Sequence, residues 1–182
     1  MGGRGLVPQR FDPVLSHQAM QRFLNLLDLV SERLGQLCGL MIFLMMLGTA
    51  VVVVLRYFLN VGSIPLQEAI LYLHGSVIML GIAFTLKRGG HVRVDIIHRA
   101  LPENRKRWID VAGTLLFLMP FAIFVFWSSL PYARFSWSVL EASSAPGGLP
   151  GVFLLKTLIP IMAALLFLQG FNELIRMLNK KA

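Results

Sequence analysis

The chain has 182 residues, 56% of them hydrophobic and only 14% charged, against roughly 25% charged in soluble domains, and its mean hydropathy is +0.70. That composition excludes an ordinary soluble domain and points to a membrane protein. The net charge of +8 would suggest nucleic acid in a soluble chain, but here the basic residues read as topology signals and no nucleic-acid partner is expected. One cysteine, Cys38 in an apolar run, excludes a disulfide framework or a cysteine metal cluster and reads as a small buried hydrophobe.

Residues 1–33 read as a cytoplasmic N-terminal segment. Asp12 can cap a helix that has Pro13 in its first turn. Met20, Phe23, Leu24, Leu27, Val30 and Leu34 then recur at helical spacing, with Gln21, Arg22, Asn25, Asp28, Glu32 and Arg33 elsewhere around the helix. The stripe predicts an amphipathic interfacial helix lying on the cytoplasmic leaflet before the chain turns into its first span. A contact with the cytoplasmic edge of a partner fits the same stripe. A cleaved signal peptide is not expected, because the first apolar run starts only at residue 34 and is too long.

Three uncharged runs follow, Leu34–Leu55, Ala69–Leu86 and Val111–Ala133, then a shorter one, Thr157–Asn172. About 20 helical residues cross a hydrocarbon core of roughly 30 Å. The last run is long enough if its helix starts near Val152 and Lys156 snorkels. The fold class expected is an all-α membrane protein with four transmembrane helices. They lie at about 34–55, 66–86, 108–131 and 152–173, within one domain of residues 34–176 followed by a cytoplasmic tail of 177–182. Pro120 and Pro160, inside the third and fourth spans, should kink them.

Fourteen of the seventeen Lys and Arg residues fall in the N-terminal segment, the loop between spans two and three, and the tail. The other two connectors carry only Arg56, Arg134 and Lys156. An even number of spans puts the three rich segments on one side, and the positive-inside rule makes that side the cytoplasm. Both termini are therefore expected inside. The second periplasmic connector, from about Pro131 to Gly151, carries Tyr132, Phe135 and Trp137 as interfacial aromatics, then a Pro/Gly-rich turn, SSAPGGLPG.

Few residues within the spans could carry chemistry: Glu68, His74, Gln169 and Asn172. His74 could ligate haem in a membrane anchor of an oxidoreductase, the rival reading from another class. A bis-His haem needs a second imidazole at similar depth, and His17, His91 and His98 all lie on the cytoplasmic side. His74 reads better as a hydrogen-bonding group in a helix interface. Glu68 opens span two and Arg56 closes span one. They read either as a dipole-favoured acid with an interfacial arginine, or as a charged pair buried against a partner subunit. Gly35 and Gly39 form a GxxxG that permits close helix approach. A nucleophile elbow, a P-loop and a zinc-protease helix are absent. No catalytic residue, metal site or cofactor is expected.

The loop from Leu86 to Trp108 reads LKRGGHVRVDIIHRALPENRKRW. Lys87 and Arg88 mark the interface, and Gly89-Gly90 breaks the helix. Pro102 and Glu103 open the next helix, which Arg105, Lys106, Arg107 and Trp108 anchor among lipid headgroups. Lipid contact does not account for the order of His91, Arg93 and Asp95 in GGHVRVD.

In that order, after LRYFLN with Arg56 and QEA with Glu68, the chain resembles the small membrane subunit (DctQ-like) of tripartite ATP-independent periplasmic (TRAP) transporters. The likeness runs from span one to span four. Family members often carry a tryptophan and two adjacent acids where this chain has Ile64-Pro65-Leu66-Gln67-Glu68. The resemblance implies a non-catalytic subunit of a sodium-coupled importer of organic acids, often carboxylates. Its partners would be a large elevator-type membrane subunit, which it scaffolds, and a periplasmic substrate-binding protein. It also implies that Arg56, Glu68, His91, Arg93 and Asp95 serve the subunit interface or the fold. SSAPGGLPGVFLLKTLIPI resembles the subgroup labelled for mannitol or chloroaromatic compounds, some of whose relatives handle 2-oxo acids.

Overall fold

The computed structural model describes residues 13–90 and 102–179. In chain order its elements are α1 (Pro13–Phe58), α2 (Ile64–Lys87), α3 (Glu103–Gly113), a π-helical turn (Thr114–Leu118), α4 (Met119–Ser138) and α5 (Val152–Asn179). The π turn joins α3 to α4 without a break, so the described residues form four helices that are long and apolar enough to cross a membrane. Helices are the fold that hydrocarbon permits, since each satisfies its own backbone donors and acceptors.

The separate interfacial helix expected before span one is corrected. α1 runs unbroken for 46 residues, because no proline interrupts it between Pro13 and Phe58 and an internal glycine alone does not stop a helix. It ends at Asn60, held at φ 53°, a left-handed position that asparagine tolerates. α2 starts behind Ser63, whose hydroxyl accepts the Leu66 N–H at 3.4 Å, and it stops at Gly89, φ 62°. The glycine break after Arg88 is where the sequence placed it.

The third helix runs seven residues past its expected end at 131 and finishes at Ser138. Tyr132, Phe135 and Trp137 therefore sit on the last turns of α4, not in a connector. Pro120 lacks an N–H for the Leu116 carbonyl, and the chain widens into the π turn immediately before it. α5 starts at Val152 as expected and passes through Pro160 as one helix.

The helices lie side by side in the order α1, α2, α5, α4: α1 packs on α2, α2 on α5 and α5 on α4, while α1 meets α5 more narrowly. α5 is the centre of this layer. Of the most apolar eighteen-residue stretch of each helix, 6% is buried in α1 and in α2, against 22% in α5. Small residues let α4 close on α5, with Ala122, Ser129, Ala133 and Ser136 facing inward toward Pro160 and Ala163. Both edges present long apolar faces outward, including Phe117, Phe121 and Phe124 beside α4 and Ile42, Phe43 and Met46 on α1.

The two glycines of the GxxxG separate in role. A Cβ on Gly35 would stand 2.5 Å from the Phe84 ring of α2, whereas one on Gly39 would meet nothing within 4 Å. Gly35→Leu is expected to destabilise the α1–α2 pair by about 1–3 kcal/mol, the usual cost of overpacking. Gly39→Leu is expected to leave it unchanged. Equilibrium unfolding in mixed micelles checks both, and equal effects at the two positions would refute the one-sided packing.

Candidate functional site

Polar side chains gather at the two ends of the layer. The terminal end is where α1 begins and where α2 and α5 finish; the connector end holds the α1–α2 and α4–α5 connectors.

At the terminal end the inward face of α1 overlaps the stripe of the sequence reading only in part, sharing Leu24. Met20, Phe23 and Val30 are exposed, whereas Leu24, Ser31 and Cys38 are buried. These three recur every seven residues, with Asp28 and Gly35 between them, the 3.5-residue seam of left-handed helix packing. Ser31 Oγ donates to Gln169 Oε1 of α5 at 2.8 Å. Fully buried Asn172 donates through Nδ2 to Asp28 Oδ1 at 2.8 Å and to the Leu24 carbonyl at 3.4 Å. Arg176 closes the group by donating to Asn172 Oδ1 at 3.2 Å and to the other oxygen of Asp28. Glu32, one turn on, takes α2: Lys87 Nζ reaches it at 3.1 Å and Arg88 at 2.5 Å, and Lys87 also caps the Asp28 carbonyl at 2.9 Å. Asp28 thus fastens α1 to α5, and Glu32 fastens α1 to α2.

Lys87 and Arg88, expected among lipid headgroups, are turned onto α1. Arg107 donates to the Leu178 carbonyl at 3.0 Å, tying α3 to the end of α5. Arg105 and Trp108 are exposed, and Lys106 is half-buried.

At the connector end Glu68 accepts the Ser143 hydroxyl and the Leu149 N–H, the latter at 2.6 Å. Ser143 N–H donates to the Leu149 carbonyl at 3.1 Å, and Tyr72 Oη approaches the same carbonyl at 3.5 Å. One carboxylate on α2 therefore holds the α4–α5 connector in a closed turn. Glu68 does not turn to Arg56, which is exposed and makes no ion pair among the described residues. Arg56 instead borders an open polar hollow with Tyr57, Asn60 and Gln67.

Lys156 does not snorkel free. Its ammonium binds Glu141 at 2.5 Å and lies 4.1 Å from the centre of the Tyr132 ring. The Lys156 ammonium beside Glu141 holds that carboxyl below the usual carboxylate range. Trp137 Nε1 donates to Thr157 at 2.7 Å while its ring meets Phe153 edge-on at 4.6 Å.

His74 is exposed on the outer side of α2 with Leu71 and Ile78, so the described residues set no second imidazole against it and do not fit a haem. No three His, Cys, Asp or Glu side chains among them stand close enough to hold a metal ion. His91, Arg93 and Asp95 lie outside the described residues.

Sequence reasoning named Glu68, Gln169 and Asn172 but missed Asp28, Ser31, Glu32 and Ser143. The seven-residue recurrence of Leu24, Ser31 and Cys38 was the available signal for the first group. For Ser143 the signal was a lone span-start acid facing a Pro/Gly-rich connector with N–H groups to offer.

A family model described as "Tripartite ATP-independent periplasmic transporters, DctQ component" matches residues 45–180. No curated protein and no solved structure matches the chain. The matched region takes in the last part of α1 and every later helix, with Glu68 and both polar ends of α5. The chain belongs to the DctQ-component family, the small membrane component of TRAP transporters.

Proposed function

We propose that the chain is the fixed, non-catalytic small subunit of a sodium-coupled importer of organic acids, in the first place carboxylates. It scaffolds a large elevator-type subunit that receives substrate from a periplasmic binding protein. The family match carries this reading. Support comes from how the polar groups are used: Asp28, Glu32, Glu68 and Glu141 each bind a neighbouring helix or connector of the same chain. Such a layer is rigid where it is polar and apolar where it is open, which suits a static wall against a moving partner. Both termini lie in the cytoplasm of a bacterial inner membrane, in keeping with the positive-inside rule. The connector end then faces the periplasm. Arg56, with no partner among the described residues, takes an acidic group of the large subunit, and His91, Arg93 and Asp95 brace the cytoplasmic loop for assembly.

Co-expression with the large subunit encoded beside it, then affinity capture of the tagged small chain in mild detergent, tests this. The two are expected to elute together, and Arg56→Glu is expected to lower the recovered large subunit about tenfold, as loss of an interfacial charge contact does. A small chain that elutes alone overturns the reading. Co-elution unaffected by Arg56→Glu keeps the assembly and removes Arg56 from its interface.

A further inference from the structure

A groove of about 730 Å³ opens on one side of the layer, between α2 on one wall and α3 with the π turn on the other. Its floor is α5, from Leu166 past Gly170 and Glu173 to Met177. At 1.5 Å per residue that floor is about 16 Å long, close to one leaflet, half of a hydrocarbon core of about 30 Å. A membrane-crossing partner helix needs twice that length. The groove is also graded along its axis. Asp110 and Glu173 stand toward the terminal end, whereas Phe117 and Leu166 line the deeper part. The basic run Arg105–Arg107 lies one turn beyond Asp110.

Gly113 is the second observation. It lies in the groove wall in ordinary helical geometry, φ −60° and ψ −44°, so no special backbone conformation calls for glycine. A Cβ there would meet nothing within 4 Å, so no packed neighbour among the described residues calls for it either. Glycine is a poor helix former, and here the missing side chain keeps open the volume of the groove.

We propose that this groove seats one zwitterionic, amine-headed phospholipid of the leaflet at the terminal end. An acyl chain lies along Phe117 and Leu166, the ammonium is at Glu173, whose carboxylate takes only the neutral Gln169 amide at 3.2 Å among the described residues, and the phosphate is at the Arg105–Arg107 turn. Opposite charges at the mouth favour a headgroup carrying both signs, and the Glu173 carboxylate disfavours a purely anionic one. The seat belongs to this chain alone and holds whatever the chain assembles with.

The test is native mass spectrometry of the full-length chain in mild detergent micelles. The micelles carry equal amounts of phosphatidylethanolamine and phosphatidylglycerol with matched acyl chains. One phosphatidylethanolamine is expected per chain, in about tenfold excess over phosphatidylglycerol. Gly113→Leu, which has room for its side chain and favours helix, is expected to lower that adduct about tenfold with the helical circular dichroism unchanged. Gly113→Ala should bind as the natural chain does. Glu173→Gln should keep a bound lipid but lose the headgroup preference, and it decides the matter if the leucine variant fails to fold. Lipid retention equal in Gly113→Leu and the natural chain, or no preference between the two lipids, overturns the proposal. So does loss of a copurifying protein, with lipid retained, in Gly113→Leu.

Discussion

Asn172→Leu is expected to cost about 2–3 kcal/mol of stability, the largest effect of any conservative-volume change in the layer. Asn172 is fully buried and bridges three groups: the Leu24 carbonyl and Asp28 on α1, and Arg176 one turn along α5. Leucine fills the same space but offers no donor to Asp28, whose side chain is only 19% exposed. The loss therefore includes a half-buried carboxylate left with Arg176 alone. Isolated hydrogen bonds between membrane helices are worth less, about 0.6 kcal/mol on average; the network, with its charged member, raises the figure here. Unfolding in mixed micelles measures it, with Asn172→Asp as a second variant that sets two carboxylates together. A loss under about 0.5 kcal/mol for Asn172→Leu, within the range of ordinary surface changes, would show that the Asn172 bridge does not hold α1 to α5.

This cluster marks a limit of the sequence. Asn172 stood out as a polar residue in an apolar run, but its partner Asp28 lies 144 positions away. Asp28 sits in a stretch that also reads as an amphipathic surface helix. Periodicity says which residues share a face of one helix, and it does not say which face another helix will cover.

Glu68→Ala is expected to release the α4–α5 connector. The carboxylate takes the Leu149 N–H at 2.6 Å and the Ser143 hydroxyl, and neither donor is given a second acceptor. Hydrogen exchange at the amides of Ser143 to Gly151 should quicken about tenfold, the effect of losing one closing hydrogen bond in a local opening reaction. α2 itself should stay protected, since its first turn is capped by Ser63 and not by Glu68. Glu68→Gln, which keeps one acceptor oxygen, should restore part of the protection. Gly148→Ala should act like Glu68→Ala, because a Cβ there would stand 2.5 Å from Ser143 Oγ and 2.8 Å from Glu68 Oε1. Unchanged exchange in Glu68→Ala would mean that the connector closes on its own backbone bonds.

By itself the sequence determined four spans and the neighbourhoods of most of their ends. Hydrocarbon accepts only backbone that bonds within its own helix, so long apolar runs translate directly into helices. The glycine stop after Arg88, the start at Pro102–Glu103 and the start at Val152 were legible for the same local reason. The overrun of α4 to Ser138 was not, because an aromatic-rich helix end and an aromatic-rich connector look alike in composition.

Only the tertiary structure decided that α1 runs unbroken from Pro13 and that the helices form a layer with α5 at its centre. It alone showed that Asp28, Glu32, Glu68 and Glu141 are each matched to a donor on another element. Those outcomes depend on which faces meet, and faces are matched by shape and by buried hydrogen bonds between residues far apart in the chain. Arg56 and Glu68 carry the point: the sequence left open whether they act separately or as a charged pair, and in the fold the Pro/Gly-rich connector offers Glu68 two donors at bonding distance while Arg56 is exposed.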